Sequence, residues 1–125
     1  MVINGLENIY NPAVAKAILA FIYDNFSEET VTISEGDEDN VYKINDDKYY
    51  ILSRQDQYNL IDDYNEELFS DAVSGIPNSI VRYIDKDRWI DDNGVGCIED
   101  YWEDLFEDSL DYVDGVGDIS FYKIS

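Results

Sequence analysis

Residues 31–52, VTISEGDEDNVYKINDDKYYIL, decide the fold. Val31-Thr-Ile-Ser34, Val41-Tyr-Lys-Ile44 and Tyr49-Tyr-Ile-Leu52 are short runs rich in β-branched and aromatic residues. Between them, Glu35-Gly-Asp-Glu-Asp-Asn40 and Asn45-Asp-Asp-Lys48 are turn chemistry, so the stretch reads as a three-stranded meander. Upstream, Asn11-Pro12 is an N-cap followed by proline at the first helical position. Val14, Ile18, Phe21 and Ile22 mark one apolar face of that helix through about Phe26. It is nearly uncharged, as a core helix is. Downstream, Ser53 with Asp56 three residues on resembles a capping box, with Asp in place of the usual Glu. It opens a long helix to about Ser74, with Ile61, Tyr64, Leu68 and Ala72 on one side and Gly75 and Pro77 as its stop. Asn78 to Ile84 reads as a short helix. Asp85 caps another through Trp89 to Asp92, closed by Asn93-Gly94, and Ile119 to Ile124 is a final strand returning to the meander. The expectation is one α+β domain over residues 1–125. Its small antiparallel sheet, the meander plus the C-terminal strand, packs with three to five helices.

Composition narrows the function. The 125 residues are 45% hydrophobic and 14% aromatic, enough to build one core and unlike a disordered acidic tail. No run of 18 apolar residues and no basic segment before an apolar stretch is present, so neither a membrane span nor a signal peptide is expected. The single Cys97 excludes an intramolecular disulfide, and with no His the chain lacks the ligands of ordinary zinc, haem or copper sites. A His-dependent triad is excluded too, and Cys97 has no His partner. Gly94-Val-Gly96 and Gly115-Val-Gly117 lack the Gly, Lys or Ser that a phosphate loop needs. Asp85-Lys-Asp-Arg-Trp-Ile-Asp-Asp-Asn-Gly94 fails as a calcium loop, because Trp89 falls at position one and Gly96 where an Ile-like residue belongs. Asp114-Gly-Val-Gly-Asp118 fails similarly, with Leu110 at position one. We expect no enzyme, no cofactor and no dedicated metal site.

What remains is charge. Twenty-nine acids against eight basic residues give −21, with a pI near 4.1, where solubility needs only about 2 to 8 charges. Duplex DNA carries one negative charge per roughly 1.7 Å, so this surplus matches about 36 Å of helix. A chain this long folds to a diameter of about 35 Å. Direct binding to nucleic acid or to an anionic membrane is excluded by repulsion. The charge concentrates late: residues 85–118 hold thirteen acids against Lys86 and Arg88.

Two stretches run against helix electrostatics. Asp62 with Glu66, and Asp63 with Glu67, are like-charge pairs four apart. If residues 98–111 are helical, Glu99, Glu103, Glu107 and Asp111 form one row, and Asp100, Asp104 and Asp108 a second. Ile98, Trp102 and Leu105 would then be the buried stripe. Seven charges over about 18 Å is one per roughly 2.6 Å, between the single-strand and duplex spacings of DNA. Asp91 and Asp92 add to this surface. Tyr49, Tyr50, Tyr58, Tyr64, Tyr101 and Tyr112 lie close to acids, and Tyr101 and Tyr112 are the candidate aromatic contacts, since Tyr offers rigid area with a polar tip. The plain alternative is a solvated acidic face.

Two resemblances bear on this. Tyr50-Ile-Leu-Ser53 leading into a helix, Ile76-Pro77, Arg82-Tyr83-Ile-Asp85, Trp89 to Asp92, Gly94-Val-Gly96 and Phe121-Tyr-Lys-Ile124 are similar to a group of small acidic proteins of phages and mobile elements. The likeness covers about half the chain and implies phage origin, hence the cytoplasm of an infected bacterial host. It also implies a Gly-rich loop and hairpin where the 98–111 helix is drawn. In charge, size and Tyr content, the chain is similar to antirestriction DNA mimics of the ArdA type and to acidic anti-CRISPR proteins. The expectation is a DNA mimic, monomeric or homodimeric. It would occupy the DNA-binding groove of a host defence protein or nuclease complex. An acidic module recognising a basic phage or host protein, and an acidic protein adapted to high salt, stay open beside it.

Overall fold

In the computed structural model, which describes residues 1–125, the meander forms for the reason its alternation gives. Strand β2 (Thr30–Glu35) buries Val31 and Ile33 and turns Thr32 and Ser34 to solvent. Strand β3 (Val41–Ile44) pairs antiparallel with β2 on one side and with β4 (Asp47–Ser53) on the other. Ile44 faces Asp47, which leaves Asn45-Asp46 as a two-residue turn, with Asn45 in the left-handed region at φ 53°. The Asn45 side chain accepts the Thr32 N–H at 3.0 Å, which stitches the turn to β2. Tyr49, Tyr50, Ile51 and Leu52 are all buried, so β4 is a central strand with both faces covered.

The C-terminal strand β6 (Ile119–Ile124) lies antiparallel to β4, as expected. The sheet is larger than the expected four antiparallel strands, however. Val2–Asn4 forms β1, parallel to β2, and Leu110–Val116 forms β5, antiparallel to β6. The order is β1-β2-β3-β4-β6-β5, a six-stranded mixed sheet. Three residues are too few to show a period, which hides β1. In β5, Asp111 and Asp114 interrupt the apolar pattern, and a bulge between Tyr112 and Asp114 breaks the alternation.

Helix α1 (Pro12–Asn25) begins where its cap dictates: the Asn11 carboxamide accepts the N–H groups of Ala13 and Val14 at 2.9 and 3.3 Å. Its Ala17, Ile18, Phe21 and Ile22 are buried together with Val31, Ile33, Ile44, Tyr49, Ile51 and Phe121. Phe21 stacks on Phe121 with centroids 4.3 Å apart and meets Tyr49 edge-on. Each fully buried aliphatic side chain here contributes about 1.5–3 kcal/mol.

The chain divides into two compact units: residues 1–54 with 108–125, and residues 55–107. The sheet and α1 belong to the first. The second is helical, with α2 (Arg54–Ala72, whose first residue belongs to the first unit), α3 (Asn78–Val81), α4 (Lys86–Asn93) and α5 (Ile98–Phe106). Asp85 caps α4 by accepting the Arg88 N–H at 3.2 Å. No helix is long and apolar enough to cross a membrane.

Three expectations for the helical unit are corrected. Helix α5 stops at Phe106 and not at 111, because Glu107 takes a left-handed conformation at φ 61° and Leu110 joins the sheet. Carboxylates at a helix C-terminus oppose its dipole, and the sheet offers the next residues a ladder instead. Ile98 and Trp102 are buried as expected, but Leu105 is 45% exposed. On α2 the buried residues are Asn65 and Phe69, while Ile61, Tyr64 and Leu68 are half-buried and Ala72 exposed.

Candidate functional site

The helical unit holds fifteen acids against Arg82, Lys86 and Arg88, a net of −12 in 53 residues. Helix α2 sorts its acids into two rows because residues four apart share a face. Asp62 and Glu66 turn toward α4, where with Asp87, Asp91, Asn65 and Ile90 they line a depression of about 380 Å³. Lys86 pairs with Glu66 there and lies over the Phe69 ring at 5.6 Å. Asp63, Glu67 and Asp71 turn toward α5 and border a groove of about 410 Å³, whose remaining lining is Leu60, Tyr64, Leu68, Tyr101 and Leu105.

Two contacts hold α2 against α5. The Tyr64 and Tyr101 rings meet edge to face at 5.3 Å, and the Tyr64 hydroxyl donates to Asp104 over a long 3.4 Å. Burial raises the Tyr64 pKa, and the negative charge of Asp104, its hydrogen bond, Tyr101 and Glu67 raise it further. Burial does the same to Tyr101. Asn65 fixes the loop before α5: its side chain accepts the Val95 N–H at 2.8 Å and donates to the Val95 carbonyl at 2.9 Å. A Cβ on Gly94 would stand 2.6 Å from the Asn65 oxygen, so glycine is what permits this approach.

The acids expected at the site are divided between the units. Asp62, Asp63, Glu66 and Glu67 lie on α2, Asp91 and Asp92 on α4, and Glu99, Asp100, Glu103 and Asp104 on α5. Glu107 closes α5 and is the last residue of the helical unit. Asp108, Asp111 and Tyr112 belong to the sheet unit, where Asp111 stands opposite Lys123 and Tyr112 meets Tyr122 edge-on at 5.6 Å. The two rows, seven acids in all, therefore do not form as drawn, and α5 keeps four of their members. Tyr101 lines the groove, while Tyr112 is on β5. As site residues, Asp71, Asp87 and Leu60 escaped the sequence reading, and Leu68 and Leu105 were read as core. The four-residue spacing of Asp63, Glu67 and Asp71, and of Asp87 and Asp91, was the signal available for the acids.

No three acidic or Cys side chains gather as metal ligands. Burial pushes the half-buried Cys97 thiol upward, the reverse of what activates a nucleophile. Comparison with protein-family models, with curated proteins and with solved structures gives no match.

Proposed function

We propose that this protein is a DNA-mimic inhibitor, of phage or mobile-element origin, that occupies the DNA-binding groove of a bacterial defence nuclease. The observation that carries the reading is the density of acids in the helical unit, fifteen against three basic residues, with Glu66 paired to Lys86. On α2, Asp62, Asp63, Glu66, Glu67 and Asp71 fall within about 14 Å of axis, a charge every few ångströms, comparable to the spacing along one DNA strand. Glu99, Asp100, Glu103 and Asp104 add a second set on α5. Such a field steers a basic partner into fast, salt-sensitive association, and aromatic contacts slow its release. The experiment is competition: duplex DNA and this protein must exclude each other from the partner.

A second reading is an acidic module that recognises a basic protein without imitating DNA. One feature favours it. The open apolar lining between α2 and α5 has no counterpart in a phosphate backbone.

A further inference from the structure

We propose that the groove between α2 and α5 is the docking site for a basic amphipathic helix of a partner protein. On α2 two rows run side by side: Leu60, Tyr64 and Leu68 are apolar, and Asp63, Glu67 and Asp71 are acidic. Each row steps by four residues, about 6 Å of axis, which is the surface repeat of any helix laid alongside. Across the groove stands Leu105, 45% exposed on a helix whose Ile98 and Trp102 are buried. An apolar side chain left partly in water beside three half-buried neighbours is stabilised when covered.

Charge says what covers it. None of the helical unit's basic residues is paired with Asp63, Glu67 or Asp71: Lys86 pairs with Glu66, and Arg82 stacks on Tyr83 at 5.0 Å. The acidic border therefore takes its cations from outside the chain. A nucleic acid is repelled, and a second copy brings a net −21 of its own. A helix carrying leucines in one row and arginines in the adjacent row satisfies both walls at once, in the helix-in-groove manner. Its guanidinium groups reach the carboxylates, and the exposed part of the Tyr101 ring offers a cation–π face. This inference does not rest on DNA mimicry: it holds for any partner presenting such a helix.

The test uses a synthetic peptide of about 18 residues with leucines and arginines in adjacent four-residue rows, and a scrambled peptide of the same composition. Anisotropy titrations of the full chain at about 0.15 M salt read the affinities. The ordered peptide should bind about tenfold tighter than the scrambled one or better. Leu105→Asp should weaken the ordered peptide by about tenfold or more although it makes the chain more negative, whereas charge alone would strengthen binding. Equal affinity for the two peptides, or tighter binding by Leu105→Asp, overturns the proposal. So does failure of the peptide to bind together with self-association that Leu105→Asp abolishes, which would assign the groove to a second copy. Should Leu105→Asp not fold, the exposed pair Asp63→Lys/Glu67→Lys carries the same test. It should lose the arginine peptide and gain one with glutamates in those positions, and no such exchange overturns the proposal. Duplex competition for a captured partner is read separately, so the failure of one reading leaves the other distinguishable.

Discussion

Asn65 is a polar residue, 5% exposed, in the middle of a helix, and its carboxamide satisfies both backbone groups of Val95. Removing one side of such a contact leaves the other buried and unmatched, which costs about 1–3 kcal/mol. Asn65→Ala should therefore lower stability by roughly that amount in urea denaturation, with Asn65→Asp little better because a carboxylate cannot donate to the Val95 carbonyl. Gly94→Ala should be destabilising for the complementary reason, since its Cβ meets the Asn65 oxygen at 2.6 Å. The sequence names neither partner of this contact. Asn65 shares the helix face of Ile61, Leu68 and Ala72, but the sequence does not say what its carboxamide meets there, and only the fold brings the Gly94-Val-Gly96 loop to it.

At the scale of elements, legibility followed the strength of local chemistry. Strand β3 over Val41–Ile44 and β6 over Ile119–Ile124 agree with their sequence boundaries, and α1 begins at its Asn11-Pro12 signal. The hairpin of β5 and β6 carried a signal too. Val116 faces Ile119 across Gly117-Asp118, with Gly117 at φ 63°, a two-residue turn suited to strand twist. The acids of 99–111 masked it by their four-residue spacing, which mimics a helix face. Repulsion within α5 has a measurable consequence. Glu103 lies four residues after Glu99 and in the last turn, where no basic side chain answers the dipole. Glu103→Gln should raise the urea midpoint, by the equivalent of a few tenths of a kcal/mol to about 1 kcal/mol of unfolding free energy. A lowered midpoint would mean that Glu103 makes a stabilising contact.

For the whole molecule, −21 charges set the conditions of stability as well as of binding. Burial raises the pKa values of Tyr42, Tyr49, Tyr64 and Tyr101 above the ordinary 10.0, and nearby negative charge adds to this for Tyr42, Tyr49 and Tyr64. The folded state thus holds these protons more tightly than the unfolded chain. Their contribution is complete below the unfolded tyrosine value of about 10 and is lost as pH climbs through the folded values. Urea stability followed alongside phenolate absorbance should fall above about pH 10 as these tyrosines ionise. Stability unchanged through their ionisation would contradict that linkage. The acidic surplus was legible from composition alone, but its division between two units was not. Nor was the apolar groove, which needs α2 and α5 placed side by side. In the function we propose, the acids stand where DNA would. Affinity capture from nuclease-treated bacterial lysate at about 0.15 M salt, beside an unrelated protein of equal charge, tests it most directly. A DNA mimic should recover one DNA-handling complex, absent from the control, released by added duplex and poorly held by an Asp63→Asn/Glu67→Gln/Glu103→Gln variant. The same basic proteins on both baits, or a partner that holds duplex and this protein together, would contradict it.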